Sequence, residues 1–61
     1  MKKQSDVMIW SKEMFSSMRG ENNQKLDSSD MKGVRELALR RFGYMMFVFN
    51  EVADAYKEVN I

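Results

Sequence analysis

Apolar residues recur at intervals of three and four along most of this 61-residue chain, which is the spacing of one face of an α-helix. The chain contains no proline, so every residue has the backbone N–H that a helix interior uses. The pattern therefore predicts an all-α fold. We expect one helix over residues 5–19, a polar connection over 20–28 and a long second helix over 29–59, which together form a helical hairpin in a single domain spanning residues 1–61.

The first helix has recognisable signals at both ends. Ser5 and Asp6 can each accept hydrogen bonds from amides that the first turn leaves free, so the helix is expected to begin at one of them. Gly20 is typical of the residue just past a helix end. The expected apolar face comprises Val7, Trp10, Met14 and Met18, widened by Met8 and Phe15.

The segment before the second helix offers four possible N-caps, which are Asp27, Ser28, Ser29 and Asp30. Asp27 and Asp30 are three residues apart, the spacing of a capping box, in which each side chain accepts a hydrogen bond from the other residue's amide. The usual residue at the third position is Glu or Gln, so this pair is an acidic variant. Leu26 is expected to act as a hydrophobic staple.

The second helix carries a seven-residue repeat of apolar positions. One set is Met31, Ala38, Met45, Val52 and Val59, and its partner set is Phe42, Phe49 and Tyr56. This repeat is typical of a coiled-coil seam, although Arg35 interrupts the partner set at its start. Aromatic rings are large for a two-stranded coiled coil, so the seam favours a bundle in which the first helix packs across it. We expect Trp10 to anchor the first helix near Phe42 or Phe49.

The size of the chain predicts self-association through this seam. A chain this short buries a small fraction of its surface, and it usually needs disulfides, a metal or oligomerisation to be stable. It has no Cys and no His, so a disulfide is impossible and the common metal sites are excluded. We therefore expect a homodimer or a larger homo-oligomeric bundle. Its expected interface comprises Ala38, Phe42, Met45, Phe49, Val52 and Tyr56.

The six consecutive apolar residues from Tyr44 to Phe49 admit a second interpretation. Gly43 precedes them, Asn50 follows them, and aromatic and β-branched residues favour strands. Such a strand would pair with the same strand of a second subunit. The seven-residue phase continues across the segment, however, which favours one continuous helix with a kink at Gly43.

The lack of His and Cys also removes the usual imidazole bases and thiol nucleophiles. We therefore expect no enzymatic activity, no cofactor and no bound metal. The apolar stretch from Leu37 to Phe49 is interrupted by Arg40 and Arg41, and it is shorter than the roughly 20 residues that span a bilayer. We expect a soluble cytoplasmic protein that does not bind membranes.

The apolar run provides more apolar surface than one helix face requires. On a helical projection Tyr44 and Phe47 fall outside the seam, among charged residues that include Arg40. An exposed apolar patch with polar edges is typical of a docking site. We predict that Tyr44, Phe47 and Arg40 contact a second protein, with a further contact between identical subunits as the alternative use of the patch.

This patch, in a chain without catalytic groups, predicts a small regulatory protein that binds and modulates another protein. A phage or mobile-element inhibitor of a bacterial system fits a chain of this size, although no motif indicates that role.

A basic segment supports an alternative function. The segment from Lys32 to Arg41 also contains Arg35 and Arg40, against Glu36 alone, while the whole chain has a net charge of +1. Arginine forms bidentate hydrogen bonds with phosphate groups. Arg35, Arg40 and Arg41 are thus the predicted phosphate contacts of an oligomeric nucleic-acid or phosphorylated-nucleotide binder. In an antiparallel dimer the same segment would pair with the acidic residues near the C-terminus of the partner copy.

Overall fold

The computed structural model describes residues 4–20 and 24–61 and contains three α-helices in these ranges. Helix α1 spans Asp6–Arg19, α2 spans Ser28–Phe42 and α3 spans Met46–Val59. No strand occurs in the ranges described. The all-α prediction is therefore confirmed, and the strand interpretation of the Tyr44 to Phe49 segment is wrong. The Cα atoms extend over 31 × 29 × 14 Å, which makes the molecule flat.

The predicted long helix over residues 29–59 is wrong, because the chain leaves the helical conformation at Gly43, Tyr44 and Met45. Gly43 has φ +115° and ψ 159°, a region that only glycine occupies readily. Its amide donates to the Leu39 carbonyl oxygen at 2.9 Å and closes the end of α2. Helix α3 then starts in a new direction, so the fold has three helices of similar length rather than a two-helix hairpin.

Ser5 caps α1 and Asp27 caps α2, and each is one of the alternative caps that the sequence offers. The Ser5 hydroxyl accepts a hydrogen bond from the Met8 amide at 3.1 Å. The Asp27 side chain accepts from the Asp30 amide, and the Asp30 side chain accepts from the Asp27 amide, both at 3.0 Å. These contacts form the capping box of α2. In the predicted connection over residues 20–28, residues 21–23 lie outside the part described.

The core lies where the three helices meet. Its buried apolar side chains are Val7, Met8, Phe15, Leu26, Val34, Ala38, Leu39, Val48, Val52 and Ala55. Two edge-to-face ring pairs border this core. Trp10 packs on Phe42 with ring centroids 5.7 Å apart, as predicted, and Phe15 packs on Tyr56 at 5.6 Å. Each helix therefore contributes an aromatic ring or a buried aliphatic side chain to a shared centre, and the chain forms this core within one copy.

Polar contacts tie the connection before α2 to the end of α3. The Leu26 amide donates to the Asn60 side-chain oxygen at 2.7 Å, and the Asn60 side-chain nitrogen donates to the Leu26 carbonyl at 3.0 Å. The Tyr56 hydroxyl donates to the same carbonyl at 3.0 Å. Arg19 adds hydrogen bonds to the carbonyl oxygens of Val59 and Gln24. This end of the molecule is held by both polar and apolar contacts.

Candidate interaction surface

The largest exposed apolar side chains cluster at the junction of α2 and α3. We define the apolar corner as Tyr44, Met45, Met46, Phe47 and Phe49. Tyr44 is 72% exposed and Met46 is 74% exposed, while the other three are exposed to between a third and a half. They are exposed because they occupy the break and the first turn of α3, before Val48 reaches the core. A cluster of large apolar side chains in contact with water is typical of a binding surface.

Helix α3 begins without the local contacts that start α1 and α2. Its N-cap residue, Met45, makes no side-chain capping hydrogen bond, and the first turn contains no acidic residue. The Met45 carbonyl accepts from the Val48 amide at 3.0 Å, which tightens the turn. A helix without an N-cap side chain is usually less stable by about 1 kcal/mol than a capped one. The first turn of α3 is thus held mainly by the packing of Val48.

One side of the apolar corner is bordered by a cation. The Arg35 guanidinium carbon lies 5.8 Å from the centroid of the Phe49 ring, within the range of a cation–π contact. Arg41 makes a similar contact with Phe42 at 5.5 Å. Arg40 is exposed and lies roughly 140° around α2 from Arg35. The three arginines predicted to bind phosphate are therefore spread around α2 and do not converge on one pocket.

On the other flank of α3 an open groove of about 490 Å³ separates it from the start of α1. We call it the acidic groove. Its lining includes Gln4, Ser5 and Met8 beside α1, and Phe47, Glu51 and Asp54 from α3. The last three residues are spaced at i, i+4 and i+7, so they lie along one side of the helix. Phe47 thereby belongs both to the apolar corner and to the wall of this groove.

The carboxylates of the acidic groove form no ion pair with a cation of the described residues. Glu51 accepts a hydrogen bond from the Ser5 hydroxyl at 3.0 Å, and Asp54 is exposed. The ion pair found in the described ranges joins Lys12 to Glu58, at 3.3 Å. The groove thus combines an exposed aromatic ring with two carboxylates, of which Glu51 is partly buried and Asp54 is exposed.

The residues predicted to form an oligomer interface are divided between the core and the surface. Ala38 and Val52 are completely buried within the single chain, so they present no accessible surface to a second copy. Phe42 and Tyr56 are partly buried and pack against Trp10 and Phe15. The remaining two, Met45 and Phe49, are exposed in the apolar corner.

The predicted partner-binding residues all reach the surface. Tyr44, Phe47 and Arg40 are exposed, the first two in the apolar corner and the third in the last turn of α2. The sequence analysis did not predict that Glu51 and Asp54 line a groove with Phe47. The signal was their spacing from Phe47, because acidic residues at i+4 and i+7 mark one side of a helix.

The described residues provide no group of three or more His, Cys, Asp or Glu side chains placed to hold a metal ion. None of the helices in residues 4–20 and 24–61 is long and apolar enough to cross a bilayer. Comparison with protein-family models, curated proteins and solved structures found no match to this chain.

Proposed function

We propose that this protein is a non-catalytic regulatory protein that binds another protein through the apolar corner. The proposal rests on the exposure of Tyr44 and Met46, because nearly three quarters of the surface of each residue is accessible to water. Aromatic side chains contribute disproportionately to protein–protein affinity when a partner covers them. Methionine side chains are flexible and suit a surface that adapts to its partner.

The surroundings of the apolar corner fit such a role. Arg35 stacks beside Phe49 at one edge, and Arg40 is exposed in the last turn of α2. Arginine is enriched at interfaces because it offers both a planar apolar face and several hydrogen-bond donors. The corner therefore has an apolar centre with polar edges, as docking sites usually do.

Site-specific photo-cross-linking tests this proposal. A photoreactive residue replaces Tyr44 in the full chain within the source cells, and the same residue replaces Ser17, which is exposed on α1, as the control. We expect one defined protein to be captured from position 44 and not from position 17. Capture of copies of this chain alone, or the same products from both positions, would contradict the proposal.

The captured protein would then be purified and its affinity measured. We expect Met46→Ser to weaken the complex by about tenfold or more, since burying a large apolar side chain contributes roughly 1.5–3 kcal/mol. Ser17→Ala should leave the affinity unchanged. Equal affinities for the Met46→Ser variant and the original chain would show that the contact lies elsewhere.

A further inference from the structure

We propose that the acidic groove binds the outer face of α2 from a second copy of this chain, so that copies associate head to tail. The groove shares Phe47 with the apolar corner, but its carboxylates, Glu51 and Asp54, lie outside that corner. The test requires only the purified chain, so its result does not depend on binding to another protein.

The acidic groove provides one half of the contact. Phe47 is almost half exposed on its wall, and Glu51 and Asp54 follow along the same side of α3. No cation from the described residues lies within ion-pairing distance of either carboxylate. A ligand that fills this groove would thus be favoured by both an apolar side chain and a positive charge.

The outer face of α2 provides the other half. Leu37 is 47% exposed, and Arg40 and Arg41 follow it at i+3 and i+4, so the three form one exposed patch. Glu36 is also exposed beside Arg40 and offsets one of the two positive charges. The patch therefore has one apolar side chain and a net charge of +1, opposite in sign to the charge of the groove.

The two surfaces repeat one pattern with opposite charge. In the groove an exposed Phe47 precedes Glu51 by one helical turn, and on α2 an exposed Leu37 precedes Arg41 by one turn. Laying α2 of one copy along the groove of the next brings Leu37 to Phe47. The two arginines of the patch, Arg40 and Arg41, then lie beside the two carboxylates of the groove. Opposite potentials of this kind fix the register of an association and exclude other arrangements.

The placement of the two surfaces determines the kind of assembly. The groove is lined by residues of α3 and of the start of α1, whereas Leu37 and Arg40 are exposed on α2, which contributes no residue to the groove. One copy can therefore use both surfaces at once, with two different neighbours. A contact between unlike surfaces produces rings or open chains rather than a closed dimer. We expect the number of copies in each oligomer to increase as the concentration rises.

Charge reversal tests this contact at one exposed charge on each surface. Arg40 and Asp54 are exposed and make no hydrogen bond or ion pair within the described residues. Arg40→Glu and Asp54→Lys are prepared separately in the full chain, and self-association is measured by sedimentation velocity over a concentration series. Each variant alone should associate about fivefold to tenfold more weakly than the original chain, because an attraction becomes a repulsion.

Mixing the two variants provides the decisive comparison. In an equimolar mixture, α2 of the Arg40→Glu variant can bind the groove of the Asp54→Lys variant, and both charges of this junction are reversed. In the other mixed junction, α2 of the Asp54→Lys variant binds the groove of the Arg40→Glu variant, and both charges are the original ones. Association should therefore return close to the original level. Lys25→Glu and Glu13→Lys, which change exposed charges by the same amounts elsewhere, are the matched controls and should have little effect.

Several outcomes would overturn the proposal. A chain that stays monomeric at all concentrations has no such contact. Association that survives both single reversals uses another surface, and so does association that the mixture fails to restore although both variants keep their helical circular dichroism. Raising the salt concentration from about 0.01 M to about 0.15 M shortens the Debye length from about 30 Å to about 8 Å. Association of the original chain should then become weaker, and association that does not change with salt would contradict the proposal.

Discussion

Asn60 forms a reciprocal pair of hydrogen bonds with the backbone of Leu26, 34 positions earlier in the chain. Leu26 is buried, so its amide and carbonyl depend on protein partners rather than on water. One side chain at the end of α3 thus satisfies both polar groups of a residue in the connection before α2.

We expect Asn60→Ala to destabilise the fold by about 1–3 kcal/mol, because it leaves a buried amide without an acceptor. The Tyr56 hydroxyl would still donate to the Leu26 carbonyl. Asn60→Asp keeps an acceptor for the Leu26 amide and should cost less than Asn60→Ala. Urea denaturation followed by circular dichroism measures both. If the two variants and an exposed control, Asn50→Ala, are all as stable as the original chain, this pair of bonds contributes nothing.

Ser11 is completely buried on α1, and its hydroxyl has no hydrogen-bond partner within the described residues. We expect Ser11→Ala to stabilise the protein by about 1 kcal/mol, since it removes an unsatisfied polar atom from the core. Ser17→Ala on the exposed side of the same helix corrects for the higher helix propensity of alanine. A gain no larger at position 11 than at position 17 would show that the buried hydroxyl carries no penalty.

Two glycines should respond to the same substitution in opposite directions. At Gly43 the backbone has φ +115°, and an added Cβ would lie 3.3 Å from the Met45 methyl carbon. We expect Gly43→Ala to cost about 1–3 kcal/mol. Gly33 lies inside α2 with open space around it, so Gly33→Ala should stabilise by up to about 1 kcal/mol. Thermal unfolding of both variants measures the difference.

This comparison also tests the break between α2 and α3. In a continuous helix over residues 29–59, alanine would be favourable at both positions. Stabilisation by Gly43→Ala would therefore argue for the single long helix and against the break.

The capping box of α2 provides a graded test of local stabilisation. Asp27→Ala removes the acceptor for the Asp30 amide and should cost about 0.5–2 kcal/mol. Asp27→Asn retains a good capping side chain and should cost much less. Chemical denaturation separates the two, and equal losses would mean that the charge of Asp27, rather than its hydrogen bond, stabilises the helix start.

Features that depend on neighbouring residues in the chain were predictable from the sequence. The helix starts near Ser5 and at Asp27 follow from side chains that bond to amides three residues away. One long-range contact was also predicted, as one of two alternatives: Trp10 packs on Phe42, and each residue lies on the apolar side of its helix.

Apart from the contact of Trp10 with Phe42, features that depend on distant residues or on chain direction were not predictable. The apolar repeat continues through Gly43 because α2 and α3 both turn an apolar side toward the same core, so periodicity alone did not reveal the change of direction. The pairing of Leu26 with Asn60 joins two short polar segments that have no pattern in common. Phe47 and Phe49 resemble each other in the sequence, yet they lie on opposite flanks of α3, one in the acidic groove and the other beneath Arg35.

The uncapped start of α3 implies that the stability of this helix is unevenly distributed along its length. At its far end Tyr56 and Asn60 bond to Leu26, whereas at its near end Met46 and Phe47 lack a capping side chain. Local opening should therefore begin at the near end, where the amides would exchange with solvent fastest. A ligand at that end could wind or unwind one turn of α3 while the core beyond Val48 stays closed.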